Sequence, residues 1–112
     1  MNSCHRTRFA ASLCVLLLAL VVPFSALAAG DAAAMFKRRC SPCHGADGSG
    51  NTPMGKKVAA KALGSPEVQK RTDEQLQKAI GSGKGKMPAF SDKLSAAQIA
   101  DLVKVVRGFA RK

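Results

Sequence analysis

Residues 40–44 read Cys-Ser-Pro-Cys-His, and this run constrains the fold more than any other feature of the 112-residue chain. Two thiols at C-x-x-C spacing can add to the two vinyl groups of a haem, and a histidine directly after them is placed to bind the iron from the proximal side. A chain committed to that chemistry must wrap a large, flat, mostly apolar disc. Its hydrophobic segments then pack on the cofactor as well as on one another.

The start of the chain carries a separate message. Arg6 and Arg8 form a basic opening, Leu13 to Val22 is an apolar run short for a membrane-spanning helix, Pro23 breaks it, and Ala26-Leu27-Ala28 has the A-x-A form of a cleavage site. Residues 1–28 are therefore read as a cleaved secretory signal, with export to the periplasm, and residues 29–112 as one small domain. A retained membrane anchor is the alternative for the opening segment. Cys14 lies inside the apolar run and not at its end, which argues against a lipid-anchor site.

Cleavage would take Cys4, Cys14 and His5 away and leave Cys40, Cys43 and His44 as the remaining cysteines and histidine. One close pair cannot frame a disulfide-stabilised secreted domain. Structural zinc usually needs four protein ligands, and a thioredoxin-like redox pair needs a βαβ setting that the pattern does not offer. Haem attachment is the reading left, and it suits the length, because a domain this small buries too little surface to be stable without a staple, a metal or a cofactor.

The formal net charge of the whole chain is +11. A field of that sign draws acidic partners, nucleic acid or anionic membrane. Export and the lack of a nucleic-acid-binding motif disfavour nucleic acid, so an acidic protein surface is the expected partner.

Helical signals punctuate the rest. Asp31 is expected to cap a helix through Met35 and Phe36 to Arg39, with Lys37, Arg38 and Arg39 near its end as the macrodipole prefers. Gly45 to Gly55 reads as an irregular loop, and Lys56 to Leu63 as a helical turn. Ser65 and Pro66 open a short helix through Lys70. Thr72 and Gln75 form a capping box for a helix through Leu76, Ala79 and Ile80, stopped by Gly81 and Gly83. Ser95 and Gln98 repeat the device for a last helix to about Ala110, with Ile99, Leu102, Val103, Val106 and Phe109 on one face. No segment alternates like a strand, and the domain is expected to be all-α.

A haem held by one histidine has a sixth iron position, and its occupant decides between electron transfer and small-molecule chemistry. Met35 lies on the helix entering the motif and is expected to pack. Met54 sits in the glycine-rich loop, within reach because about ten extended residues span ~33 Å. Met87 follows Gly81-Ser82-Gly83-Lys84-Gly85-Lys86 and precedes Pro88. Glycines let backbone approach a flat ligand closely and proline holds the preceding residue extended, so Met87 is the better candidate.

These residues together resemble the small class I c-type cytochromes, soluble bacterial and photosynthetic-type electron carriers. The resemblance covers nearly all of residues 31–110. It rests on Phe36, Cys40-Ser41-Pro42-Cys43-His44-Gly45, the loop Gly48 to Gly55, Gly85-Lys86-Met87-Pro88-Ala89-Phe90 and the terminal Ile99-Ala100-Asp101-Leu102-Val103. It implies a cytochrome c fold, with about four short helices around one covalently attached haem c. It also implies thioether bonds from Cys40 and Cys43, His44 and Met87 as axial ligands, and the Pro53 carbonyl as acceptor for the free ring N–H of His44. The first and last helices should cross near Phe36 and the Leu102 to Phe109 face. Val105 stands where the family commonly has an aromatic residue, which leaves the aromatic part of that crossing in question.

The expected function is one-electron transfer by a monomeric periplasmic carrier, not an enzyme. Lys84 and Lys86, flanking the ligand loop, would steer acidic redox partners. Two rivals are an open-site haem enzyme or gas sensor, and a haem subunit of a larger oxidase or reductase. The first is weakened because no second histidine remains for acid–base work near the distal side.

Overall fold

In a computed structural model, which describes residues 25–111 and the side chains of residues 31–110, the chain is helical. The elements are α1 (Ser25–Arg39), α2 (Ser41–His44), α3 (Pro53–Val58), α4 (Pro66–Gln69), α5 (Asp73–Ser82) and α6 (Ala96–Gly108), followed by a 3₁₀ turn, Phe109–Arg111. Pairing of extended backbone among the described residues is confined to one isolated bridge, Lys84 with Met87. Of the signal read over residues 1–28, residues 1–24 lie outside the described residues, and Ala26-Leu27-Ala28 falls in the first turns of α1.

α1 differs from expectation at its start. It already runs from Ser25, so Asp31 is an exposed residue inside the helix and not its cap. Upstream alanines, good helix formers, carry the helix past the local capping signal. Its end is as read, with Lys37, Arg38 and Arg39 in the last turn.

Both capping boxes form. The Gln75 amide donates to Thr72 Oγ1 at 3.2 Å while the Thr72 amide donates to Gln75 Oε1 at 3.0 Å. Ser95 and Gln98 make the same exchange at 3.2 and 2.9 Å. α5 continues through Gly81 and stops at Gly83.

α3 starts earlier than the sequence reading placed it. Thr52 caps it, with Oγ1 accepting from the Gly55 amide at 2.8 Å, and Pro53 takes the first helical position, where a missing N–H costs nothing. The same hydroxyl lies 2.8 Å from the Pro42 carbonyl and 3.0 Å from the Cys43 carbonyl, and its one proton serves them. Thr52 thus ties α3 to α2.

The core is built where α6 meets α1 and α5. Leu102 and Val103 are the most deeply buried side chains, joined by Phe36, Leu63, Val68, Leu76, Ile80, Phe90, Ile99, Val106 and Phe109. The α1/α6 crossing does carry an aromatic pair: the rings of Phe36 and Phe109 lie 5.3 Å apart and inclined at 45°. Phe109 supplies the aromatic surface that Val105 lacks.

A single arginine links α6 to the segment between α4 and α5. Arg107 donates to the Gln69 carbonyl at 2.7 Å, the Arg71 carbonyl at 2.6 Å and Asp73 Oδ1 at 2.7 Å, and Gln69 Nε2 bridges the carbonyls of Leu63 at 2.7 Å and Val106 at 3.0 Å. Arg107→Ala would strand two backbone acceptors. We expect a loss of about 2 kcal/mol in urea unfolding, with most of it coming from the carbonyl bonds because Asp73 is exposed. An unchanged midpoint would show that the network is ornamental.

Candidate functional site

The C-x-x-C-H run forms a continuation of α1 after a break at Cys40. The Cys40 amide still donates to the Phe36 carbonyl at 2.8 Å, and the His44 amide to the Cys40 carbonyl at 2.8 Å. Cys40, Cys43 and His44 are each half-buried and line one cavity of about 370 Å³. Before any attachment, burial pushes the Cys40 thiol up to about 11, against the opposing charge of Arg39 and helped by Cys43.

Met87 lines the same cavity from a different segment. It closes a two-residue hairpin in which the Lys84 amide donates to the Met87 carbonyl at 3.1 Å and the Met87 amide returns to the Lys84 carbonyl at 3.0 Å. Gly85 has φ +59° and Gly83 φ +73°, left-handed values that suit glycine. At Gly83 a Cβ would also lie 2.6 Å from the Met87 carbonyl oxygen, so the approach to the methionine has no room for a side chain. Beyond Pro88 the chain is pinned again, where the Phe90 amide reaches the carbonyls of Ile80 and Gly81 at 3.1 Å. Met54, by contrast, is 48% exposed on α3 and does not line the cavity, and Met35 is a buried core residue.

Pro53 does not take the position the resemblance implied. The carbonyl that meets His44 Nδ1, at 3.0 Å, is that of Lys61, and Pro53 is absent from the cavity wall. As the first residue of α3, Pro53 has its carbonyl directed along the helix toward the amide four residues on. Because a carbonyl only accepts, the bond to Lys61 puts the ring proton on Nδ1 and leaves Nε2 as the basic nitrogen. Sequence reasoning missed Lys61, and no local motif marks it, since the contact spans the whole loop and α3.

Most of the remaining wall is apolar, with Phe36, Leu63, Val68, Leu76, Ile80, Phe90, Leu102 and Val106, and cationic side chains complete it. Left uncovered, that apolar wall would face water, which is unfavourable in proportion to its area. The site therefore suits a large apolar group. Two thiols, an imidazole with a free Nε2 and a thioether on one wall are the donor set that a covalently attached haem requires.

Comparison with known proteins agrees. A family model described as "Cytochrome C oxidase, cbb3-type, subunit III" matches residues 27–104. The chain belongs to this family of c-type cytochromes. A solved structure named "KustC0563 c-type cytochrome" is similar over 70% of this chain and 95% of that one, at 34% identity and TM-score 0.64. A mutant of the same protein gives 36% identity and TM-score 0.64, over 70% and 98% of the two chains. A search of curated proteins found no match. The cytochrome accordingly carries covalently bound haem c, and its general task is electron transfer.

Proposed function

We propose that this cytochrome is an exported, monomeric one-electron carrier whose iron is closed on both sides. Haem c supplies the redox couple. Cys40 and Cys43 would hold it by thioether bonds, His44 and Met87 would bind its iron, and the His44–Lys61 bond sets the imidazole tautomer and fixes the ring. The observation that carries this reading is that Met87, brought in by a rigid hairpin far along the chain, shares one apolar cavity with the attachment motif. A methionine ligand favours ferrous iron and leaves no coordination position for a substrate. The test of attachment is proteolysis and mass spectrometry of the purified protein. Haem mass on the peptide containing Cys40 and Cys43 is expected, and haem lost on acid–acetone extraction would refute it.

Residues 1–28 are proposed to direct export. No helix among the described residues is long and apolar enough to cross a membrane. N-terminal sequencing of the periplasmic protein should begin at Ala29.

Lys84, Lys86, Lys56 and Lys57 are exposed on the ligand hairpin and on α3, and Lys86 Nζ reaches the Lys57 carbonyl at 3.5 Å, joining the two segments. Positive charge there would steer an acidic redox partner. Reversing Lys84 and Lys86 to Glu should slow transfer to such a partner about tenfold at low ionic strength, with the difference fading as salt rises. Equal stopped-flow rates at low salt would refute the steering.

The family description favours a second reading, a haem subunit docked on a larger oxidase. Fractionation of native cells separates the two. Cytochrome recovered free in the periplasm supports the carrier, and co-migration with a membrane oxidase on native gels supports the subunit.

A further inference from the structure

The cations on the cavity wall are Arg39, Lys61, Arg71, Lys84 and Lys86, and no acid lines it among the described residues. A haem attached through its vinyl carbons carries its two propionate carboxylates on the opposite edge of the ring. Arg39 adjoins Cys40 and so belongs to the vinyl edge. Lys84 and Lys86 adjoin Met87, at the sixth iron position. Lys61 meets His44 only through its backbone carbonyl, so its side chain, like that of Arg71, belongs to neither group.

These two are gathered by one carboxylate. Lys61 Nζ lies 3.2 Å from Glu67 Oε1, and Arg71 NH2 lies 4.0 Å from the same oxygen. The Arg71 side chain is only 29% exposed, yet among the described residues this long contact is the one charge partner its guanidinium has, and the carboxylate is already engaged by Lys61. Arg107 shows what a satisfied arginine looks like in this fold, with its head shared among two carbonyls and Asp73. Arg71 has its backbone fixed instead: its amide donates to the Val68 carbonyl at 3.2 Å and its carbonyl accepts from Arg107 at 2.6 Å. A half-buried guanidinium on a rigid backbone, beside an apolar cavity and with most of its donors unused, is suited to take a carboxylate from the cavity side.

We propose that Arg71, with Lys61 beside it, binds a haem propionate, and that Glu67 restrains both cations from the solvent side. This rests on attachment through Cys40 and Cys43 as proposed above. Arg71 is a positioning residue for the cofactor edge. Its positive charge, and the propionate charge it offsets, both bear on the iron, which carries one more positive charge when ferric.

The test uses purified holoprotein, with covalent haem confirmed on the Cys40–Cys43 peptide. Absence of that haem in the wild type would refute the attachment reading on its own, separately from this inference. In Arg71→Gln the propionate bending band in resonance Raman should shift, and the ferric form should gain about three- to tenfold at fixed potential. Tenfold is a fall of about 59 mV in midpoint for a one-electron couple. Arg71→Lys should retain most of the wild-type midpoint. Glu67→Gln, at an exposed side chain, should move the midpoint the opposite way. An Arg71→Gln protein with an unshifted propionate band overturns the proposal, as does a midpoint change that vanishes in 1 M salt, where exposed charges are screened within about 3 Å.

Discussion

Replacing Met87 by Ala is expected to convert a closed iron site into one that binds carbon monoxide, and to lower the midpoint potential by on the order of 0.2 V. The fold should survive the change. The hairpin that presents Met87 is held by backbone bonds with Lys84 and by the Phe90 amide beyond it, none of which uses the thioether. Removing the side chain therefore removes the proposed ligand without removing the loop. Met54→Ala is the matched control, because Met54 is exposed and away from the cavity. It should leave the spectrum unchanged and alter stability by no more than about 0.5 kcal/mol. Carbon monoxide binding by Met54→Ala and not by Met87→Ala would exchange the two assignments.

Gly55→Ala is expected to be the most damaging single methyl group in the protein. A Cβ there would run into the carbonyl oxygens of Cys43 and Gly50, and would lie 2.9 Å from Thr52 Oγ1. Two of these three are backbone atoms of the attachment segment and its loop, so α3 must move away from α2 and the Thr52 clamp must open. The expected loss is about 2–4 kcal/mol in urea unfolding, with a lower yield of attached haem. Gly81→Ala is the control within a helix. Its Cβ would meet Ile99 Cδ1 at 3.7 Å and Ser91 Cβ at 3.8 Å, ordinary contacts, and the better helix former should leave stability equal or about 0.5–1 kcal/mol higher. Equal stability of the two variants would mean that the α2/α3 contact is not as close as described.

What could be read from the chain was local. The capping boxes at Thr72 and Ser95 declare themselves within four residues, and both form as read. The C-x-x-C-H run and the glycine-rich approach to Met87 are also local signals, and the structure brings them to one cavity. The start of α3 was legible too, in Thr52-Pro53, but the surrounding glycines made the segment look irregular. Asp31 misled for the opposite reason, because a good cap residue is overruled when helix-forming alanines precede it.

Contacts between distant segments left no such trace. The Lys61 carbonyl at His44, the Arg107 network reaching back to Gln69, Arg71 and Asp73, and the ring of Phe109 against Phe36 all depend on how helices are placed. Backbone carbonyls have no residue identity, so a partner such as Lys61 cannot be inferred from its side chain. Pro53 was the reading carried by resemblance, and the cap geometry of α3 gives that residue a different task.

The central claim is that His44 and Met87 close the iron of a haem attached at Cys40 and Cys43. Optical spectroscopy of the native, purified protein tests it most directly. The oxidised protein should show the weak near-infrared sulfur-to-iron band, and the reduced protein should keep its spectrum under carbon monoxide. A missing near-infrared band together with ready carbon monoxide binding would contradict the claim and make this an open-site haem protein.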